Sequence, residues 1–393
     1  MVNQFSLLQV NKVDFGVGSF KKLASYIDSY KSRGDLLFLM STKIANHPEV
    51  LSLIASLKEE DVQVHSALVS GEPTVASIDT ITKTYYETRV SLVVGIGGGS
   101  VLDSAKAVSV MLFHQHKWKD QDLSIKTYLE GVGTKEAPSY RLPLILIPTT
   151  SGTGSEATKN GVVAQIGEGG FKKSFRHDSY VPDVAIIDPS FTLTLPLEVT
   201  ASSGLDALTQ LMEGYVSTTE NFFIDSLALP AIHKGGLALT HLLDGHLDDI
   251  SSRSDISYAS YISGVTLAHK GLTYVHGLSG PMGAVHSIPH GIACAKLMGP
   301  INRAMVENEL KEENIDSPYL VKMDAIAKGW GKKNALEAVE FIEQMVEKAD
   351  FKPLREYGFT KEDLKKLSKM NSKRNSPVTL SETTIYDILI SLL

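Results

Sequence analysis

The sequence predicts an α/β amino-terminal half built on an open parallel sheet, followed by an all-α carboxyl-terminal half. Two observations carry this expectation. Up to about residue 188, short β-rich apolar runs alternate with stretches whose apolar residues recur at helical spacing, the pattern of strand–helix–strand units. Beyond Pro196 the strand signals almost vanish and amphipathic helical stretches follow one another.

Taken in order, residues 36–40, 62–68, 91–96 and 142–147 read as strands, and their nearly continuous apolar character fits a sheet covered on both faces. Between them, residues 20–30, 48–57, 75–88 and 101–113 read as helices. Residues 115–138 break the alternation with a polar stretch containing Gly131, Gly133 and Pro138, and read as a surface insertion. Residues 161–188 read as a hairpin and a return strand, with a turn at residues 168–170. In the second half, residues 198–215, 224–243, 258–267, 335–349, 361–370 and 381–392 read as helices, several behind capping residues such as Thr360 and Ser381. The boundary falls near residues 188–196, dividing the chain into domains 1–190 and 191–393.

Composition narrows the function classes. The 393 residues carry 38 Lys and Arg against 45 Asp and Glu, a formal net charge of −7, with no basic run that would track a nucleic-acid backbone. Nucleic acid is therefore not an expected partner. Hydrophobic residues make up 43% of the chain, enough for two cores. The longest apolar runs fall far short of the roughly 18 residues of a spanning helix, and the first five residues lack the basic-then-apolar pattern of a secretory signal. A cytoplasmic protein that does not enter the membrane is expected. A single cysteine, Cys294, excludes an intrachain disulfide and a zinc site built on cysteines, so any metal is expected to use His, carboxylate or amide ligands.

Two loops suggest a phosphate cradle. The apolar run from Ser91 leads into Gly95, Gly97, Gly98, Gly99 and Ser100, and a helical stretch starts at Val101. Glycine lets the backbone approach a phosphate closely, and a helix start offers free N–H groups and a favourable dipole. Ser100 stands where the dinucleotide fingerprint has its last glycine, and ligand-free turns of this kind also occur. The second loop, Pro148 to Glu156, leaves another strand end with Thr149, Thr150, Ser151, Thr153 and Ser155 around Gly152 and Gly154. Two polar loops at the carboxyl ends of parallel strands are where open α/β sheets bind ligands.

A metal constellation is suggested further on. Asp206 and Gln210, four apart in a helical stretch, share a face, and His276, His286 and His290 fall within 15 residues in an apolar, glycine-rich segment. On spacing alone, ligands and satisfied core histidines are both open readings.

Together these residues resemble the iron-containing, group III alcohol dehydrogenases. The resemblance rests on Gly97-Gly98-Gly99-Ser100 followed by Asp103 and Lys106, on Thr149 to Glu156, on Gly204-Leu205-Asp206-Ala207-Leu208, and on His276 with Pro289-His290-Gly291, in register over nearly the whole chain. It implies a Rossmann-like dinucleotide-binding domain, a helical metal-binding domain and a cleft where NAD or NADP meets an alcohol or aldehyde. It further implies pyrophosphate binding at Gly97, Gly98, Gly99 and Ser100, contacts to the rest of the nucleotide from Thr149, Thr150 and Thr153, and a ribose-binding role for Lys172. The metal, Fe2+ or Zn2+, would sit on Asp206, Gln210, His276 and His290. A homodimer is also implied.

Three departures from the family pattern matter. Gln210 replaces a histidine, offering a weaker oxygen donor. Gly280 stands where many members have another histidine, which makes His286 the candidate for a proton-relay role. Ser41 and Thr42 replace an acidic residue after the second strand, leaving no carboxylate to repel a 2′-phosphate, so NADP is admissible beside NAD. The Gln210 and Gly280 pair resembles a branch that oxidises the terminal C8 hydroxyl of 3-deoxy-D-manno-octulosonate, a sugar of lipopolysaccharide biosynthesis, and Lys159 would face the sugar-acid carboxylate. The alternatives are a sugar-phosphate lyase of the dehydroquinate synthase type and a catalytically silent nucleotide-binding subunit.

Overall fold

The computed structural model describes residues 4–119, 123–166, 170–370 and 372–393. The chain forms two compact units. An α/β unit comprises Leu8–Thr150 and Gly154–Phe191, and a helical unit comprises Thr192–Leu393 together with Ser151–Thr153 and the residues up to Leu7.

In the α/β unit, strands β1 (Lys12–Phe15), β2 (Asp35–Met40), β3 (Val64–Leu68), β4 (Val90–Gly97), β5 (Leu144–Pro148) and β8 (Val184–Ile187) build a six-stranded sheet in the order β1-β8-β5-β4-β2-β3. Every pairing in it is parallel. Alternate residues feed two cores: Leu36, Phe38 and Met40 of β2 pack on one face with Leu92, Val94 and Ile96 of β4, while Leu37 and Leu39 pack on the other with Val93. Burial on both faces explains why these strands read as continuous apolar runs. Strands β6 (Asn160–Gln165) and β7 (Phe171–Arg176) form a separate antiparallel pair. The residues expected to turn between them, 168 and 169, lie outside the described residues.

Helices α1 (Leu23–Ile27), α2 (Thr42–Ala45), α3 (Pro48–Glu59), α4 (Val75–Thr84) and α5 (Gly99–Trp118) connect the strands. The stretch expected to be a surface insertion is otherwise. Helix α5 runs into it, and Leu123, Ile125, Tyr128 and Leu129 are buried in the core beneath β2 and β5. Apolar residues spaced irregularly in and around the 3-10 turn Ile125–Tyr128 carry no helical or strand period, so the polar average of the stretch conceals them.

The helical unit contains α6 (Leu197–Val216), α7 (Phe222–Leu243), α8 (Ile250–Lys270), α9 (Tyr274–Val285), α10 (His290–Lys311), α11 (Pro318–Gly329), α12 (Ala335–Lys348), α13 (Lys361–Ser368) and α14 (Glu382–Ser391). A continuous core joins them through Leu205, Leu208, Leu278, Cys294 and Met298. Helices α9, α10 and α11 lie outside the helices that the sequence predicts, and glycines dilute the apolar period of the first two. Among the described residues, no helix is long and apolar enough to cross a membrane.

Candidate metal centre and nucleotide cradle

The cradle forms where strand order reverses. Strand β3 lies on one side of β2 and the next strand, β4, on the other, so the carboxyl ends of β2 and β4 flank a topological switch point. Ser41 follows β2 and caps α2, its Oγ accepting from the Ile44 N–H at 3.4 Å. Gly97 ends β4, Gly98 is the N-cap of α5, and Gly99 and Ser100 open that helix. The N–H groups at the start of a helix such as α5 are the kind that bind an anion. A Cβ at Gly97 would come within 2.5 Å of Val101, and one at Gly98 would come 3.2 Å from Thr150 Oγ1. The second loop thus packs directly against Gly98, leaving no comfortable room for a side chain there. The Thr149 N–H donates to Gly97 O at 2.9 Å, which locks that loop against the first.

Buried Lys106 fixes the rest of the loop. Its ammonium donates to Ser155 O at 2.5 Å, Ser155 Oγ at 3.0 Å, Thr158 Oγ1 at 2.9 Å and Asn160 O at 2.8 Å. Ser155 Oγ also donates to Asp103 at 2.6 Å. Burial lowers the Lys106 pKa to about 8, against the opposing pull of Asp103 and Glu156. Lys172 lies on β7 and pairs with Glu72 at 2.7 Å. Lys159 pairs with Asp178 at 2.7 Å, so the carboxylate that it meets in the fold is one of the chain's own.

In the helical unit, four donors converge. Asp206 Oδ1 lies 3.5 Å from His276 Nε2 and 3.7 Å from His290 Nε2. Cys294 Sγ lies 3.8 Å from the first imidazole nitrogen and 3.7 Å from the second. All four atoms fall within 4.8 Å of one another. Asp206, His276 and Cys294 are buried, and His290 is partly exposed. Asp206 Oδ1 is buried without a hydrogen-bond partner, an arrangement that is costly unless a cation is held there. Burial works against the Asp206 charge, but His290 and His276 hold its pKa down to about 2. Burial likewise raises the Cys294 pKa, and the two imidazoles more than offset it, so the net shift is downward.

Glu213, one turn beyond Gln210 on α6, supports the cluster. Its Oε2 lies 2.5 Å from His276 Nδ1, and its Oε1 accepts from Thr273 Oγ1 and the Val275 N–H, each at 2.7 Å. One carboxylate thereby satisfies the N-terminus of α9 and orients the His276 ring with Nε2 toward Asp206. Gln210 is anchored differently. Its amide Nε2 donates to Thr153 O at 3.1 Å and to Ser263 Oγ at 2.9 Å. His286, just past α9, has its Nε2 3.2 Å from Asp363 Oδ2 and packs edge-on against Phe359. That nitrogen is therefore engaged by α13.

Of the residues singled out in the sequence, Asp206, His276 and His290 are brought together, as are Gly97 to Ser100 with Thr149 and Thr150. Glu213 and Cys294 were missed, and the expectation of a sulfur-free site does not hold for the donor set that the fold assembles. Both had a signal: Glu213 is seven residues after Asp206 and Cys294 four after His290, each on the same helical face.

Comparison with known proteins gives the family. Residues 11–189 match the iron-containing alcohol dehydrogenase model, and residues 200–393 match the C-terminal model of the Fe-containing alcohol dehydrogenase family. Long-chain-alcohol dehydrogenase 1 of Geobacillus thermodenitrificans is 33% identical, over 84% of this chain and 82% of its own length. Alcohol dehydrogenase 4 of Saccharomyces cerevisiae is 31% identical, over 75% of this chain and 74% of its own. The structure of sulfoacetaldehyde reductase from Bifidobacterium kashiwanohense, solved in complex with NAD+, superposes with a TM-score of 0.85 at 25% identity, covering 99% of both chains. The chain belongs to the iron-containing alcohol dehydrogenase family. It is an alcohol and aldehyde oxidoreductase that works with NAD(P) and a divalent metal ion.

Proposed function

We propose that the chain transfers hydride between a primary alcohol and NAD(P), with the nucleotide bound by residues of domain 1–190 and the metal by residues of domain 191–393. The observation that carries this reading is the partnerless, buried Asp206 Oδ1 between two imidazole nitrogens. Once bound, the divalent ion supplies Lewis-acid polarisation of the alcohol or aldehyde oxygen and the nicotinamide supplies the hydride acceptor or donor. The chain's residues do the holding. Asp206, His276 and His290 bind the ion, and Glu213 keeps His276 in the tautomer that presents Nε2. Gly97, Gly98, Gly99 and Ser100 bind the pyrophosphate through N–H groups and the start of α5, with Thr149 and Thr150 beside them. Thr153 and Lys172 complete the nucleotide contacts in this reading, and Ser41 leaves room for a 2′-phosphate.

For the substrate, the finer reading is the terminal hydroxyl of a sugar acid such as 3-deoxy-D-manno-octulosonate, supported by Gln210 and Gly280. Lys159 adds less support than its sequence position suggests, since Asp178 already pairs with it. His286 is a weaker relay candidate for the same reason. A lyase reading has no support, because residues 271–291 contain no Lys or Arg to grip a phosphate. The family resemblance also supports a homodimer, which light scattering on the purified protein tests.

The deciding experiment is metal analysis of chelator-free protein followed by a screen of NAD and NADP with primary alcohols, aldehydes and sugar acids. Reduction or oxidation of the nicotinamide that requires metal supports the reading. A folded, nucleotide-binding protein that neither holds metal nor turns over either cofactor would leave the silent subunit in its place.

A further inference from the structure

We propose that Cys294 Sγ, rather than the Gln210 amide, completes the metal's ligand set with Asp206, His276 and His290. This rests on the metal reading above and names its fourth donor.

The separations carry the argument. Tetrahedral coordination with metal–nitrogen and metal–oxygen distances of about 2.0–2.1 Å and a metal–sulfur distance of about 2.3 Å spaces the donors about 3.3–3.6 Å apart. The observed spacings of 3.5 Å and 3.7 Å from Asp206 Oδ1, and of 3.7 Å and 3.8 Å from Cys294 Sγ, are close to those edges. The Asp206–His contacts are also too long for charge-assisted hydrogen bonds, which close to about 2.7–2.9 Å. Four of the six donor separations thus lie near tetrahedral edges, and all six lie within 4.8 Å.

The local fold leads to the same assignment. His290 opens α10 and Cys294 follows one turn later, so one helix face presents an imidazole and a sulfur together. Cys294 is fully buried, with its sulfur turned toward the two imidazoles rather than the apolar core around it. Gln210 Nε2 donates to Thr153 O and Ser263 Oγ and so holds the 151–153 loop to α6 and α8; only its Oε1 remains to offer a metal, and an amide oxygen is a weaker donor than a thiolate. The exchange has chemical weight. A carboxylate and a thiolate together neutralise a divalent ion, where a carboxylate and an amide leave a unit of positive charge. Thiolate also shifts selection toward zinc among the divalent metals available to such a site.

The test is spectroscopic and independent of turnover. Wild-type protein is reconstituted with cobalt(II) for absorption spectra and with zinc for X-ray absorption, beside Cys294→Ser, Gln210→Ala and His276→Ala, with circular dichroism as the folding control. The expected results are an intense near-ultraviolet sulfur-to-cobalt band and one sulfur scatterer at about 2.3 Å, both lost in Cys294→Ser and kept in Gln210→Ala. Bound metal that is lost in His276→Ala, but shows only nitrogen and oxygen scatterers in the wild type, overturns the cysteine assignment and leaves the metal reading standing. Wild-type protein that takes up no stoichiometric metal, or a His276→Ala variant that retains it in full, overturns both. The wild-type spectra decide the question even if the cysteine variant does not fold.

Discussion

Glu213 Oε2 and His276 Nδ1 stand 2.5 Å apart in a fully buried pair, with the imidazole's other nitrogen turned toward Asp206. A carboxylate behind a ligating histidine fixes its tautomer and raises its basicity, and its loss typically costs 10- to 100-fold in metal affinity. Glu213→Gln keeps the shape but donates in place of accepting at one atom. Competition titration with a chelator is expected to show metal affinity lowered by about 10- to 100-fold, while nucleotide affinity stays unchanged.

At the cradle, an added methyl group separates packing from binding. Gly98→Ala places a Cβ 3.2 Å from Thr150 Oγ1, so the Thr150 side chain must shift at the start of α5. NADH fluorescence titration is expected to show binding weakened about tenfold or more, with little change in melting temperature. Gly97→Ala collides with Val101 at 2.5 Å and is expected to destabilise by about 1–3 kcal/mol. Val101→Ala in the same chain should restore little of that loss, because Val101 Cβ would itself remain 2.6 Å from the added methyl.

Cofactor choice is expected to turn on Ser41. Aspartate serves as well as serine at a helix N-cap, so Ser41→Asp keeps α2 capped while adding a carboxylate beside the switch point. NADPH binding should weaken by about tenfold or more through charge repulsion, and NADH binding should persist. Equal loss of both nucleotides would remove Ser41 from the cofactor site.

Two glycines of the helical unit predict opposite outcomes. A Cβ at Gly291 would lie 2.3 Å from Ser202 O, so Gly291→Ala must push α10 away from α6 and draw His290 and Cys294 from Asp206. Metal content should fall sharply. Gly280 has open space around its Cβ position, and Gly280→Ala should leave metal content intact and raise stability by about 0.5–1 kcal/mol.

Buried Glu156 makes stability depend on pH. Burial raises its pKa from 4.5 to about 7, against the opposing effect of its own backbone hydrogen bond and of Lys106. The folded chain then holds a proton that the unfolded chain releases, so the stabilisation is present below about pH 4.5 and is lost as pH rises through about 7. At about 1.4 kcal/mol per pH unit the ceiling is about 3 kcal/mol. Melting curves of wild type should move down between pH 5 and 7.5, and those of Glu156→Gln should move less.

Legibility in the sequence followed the strength of periodicity. Strands β2, β4 and β5 were visible because two-sided burial makes them unbroken apolar runs, and α6 and α12 because their apolar residues recur at helical spacing. Strand β1, at the sheet edge, has a single buried position, Asp14, and gave no such run. Helices α9 and α10 are obscured by their glycines, and with α10 the helical face that sets Cys294 one turn after His290. Asp206, His276 and His290 were legible as residue types at suggestive spacing. Glu213 shares the face of Asp206, but its role is not legible from that alone, since His276 lies 63 positions away in the chain and only folding brings them together.

Helix α6 carries Asp206, Gln210 and Glu213 at offsets of four and seven, so one angular sector serves the donor cluster of Asp206, His276, His290 and Cys294, the 151–153 loop and the orienting carboxylate at once. Donor identity can drift within such an arrangement, but angular phase cannot. A single residue inserted near Leu208 would swing everything after it by about 100° and carry Gln210 and Glu213 out of that sector. Length changes in this lineage should therefore accumulate in surface turns and stop at the borders of α6, whose residue count is as much a part of the enzyme as its side chains.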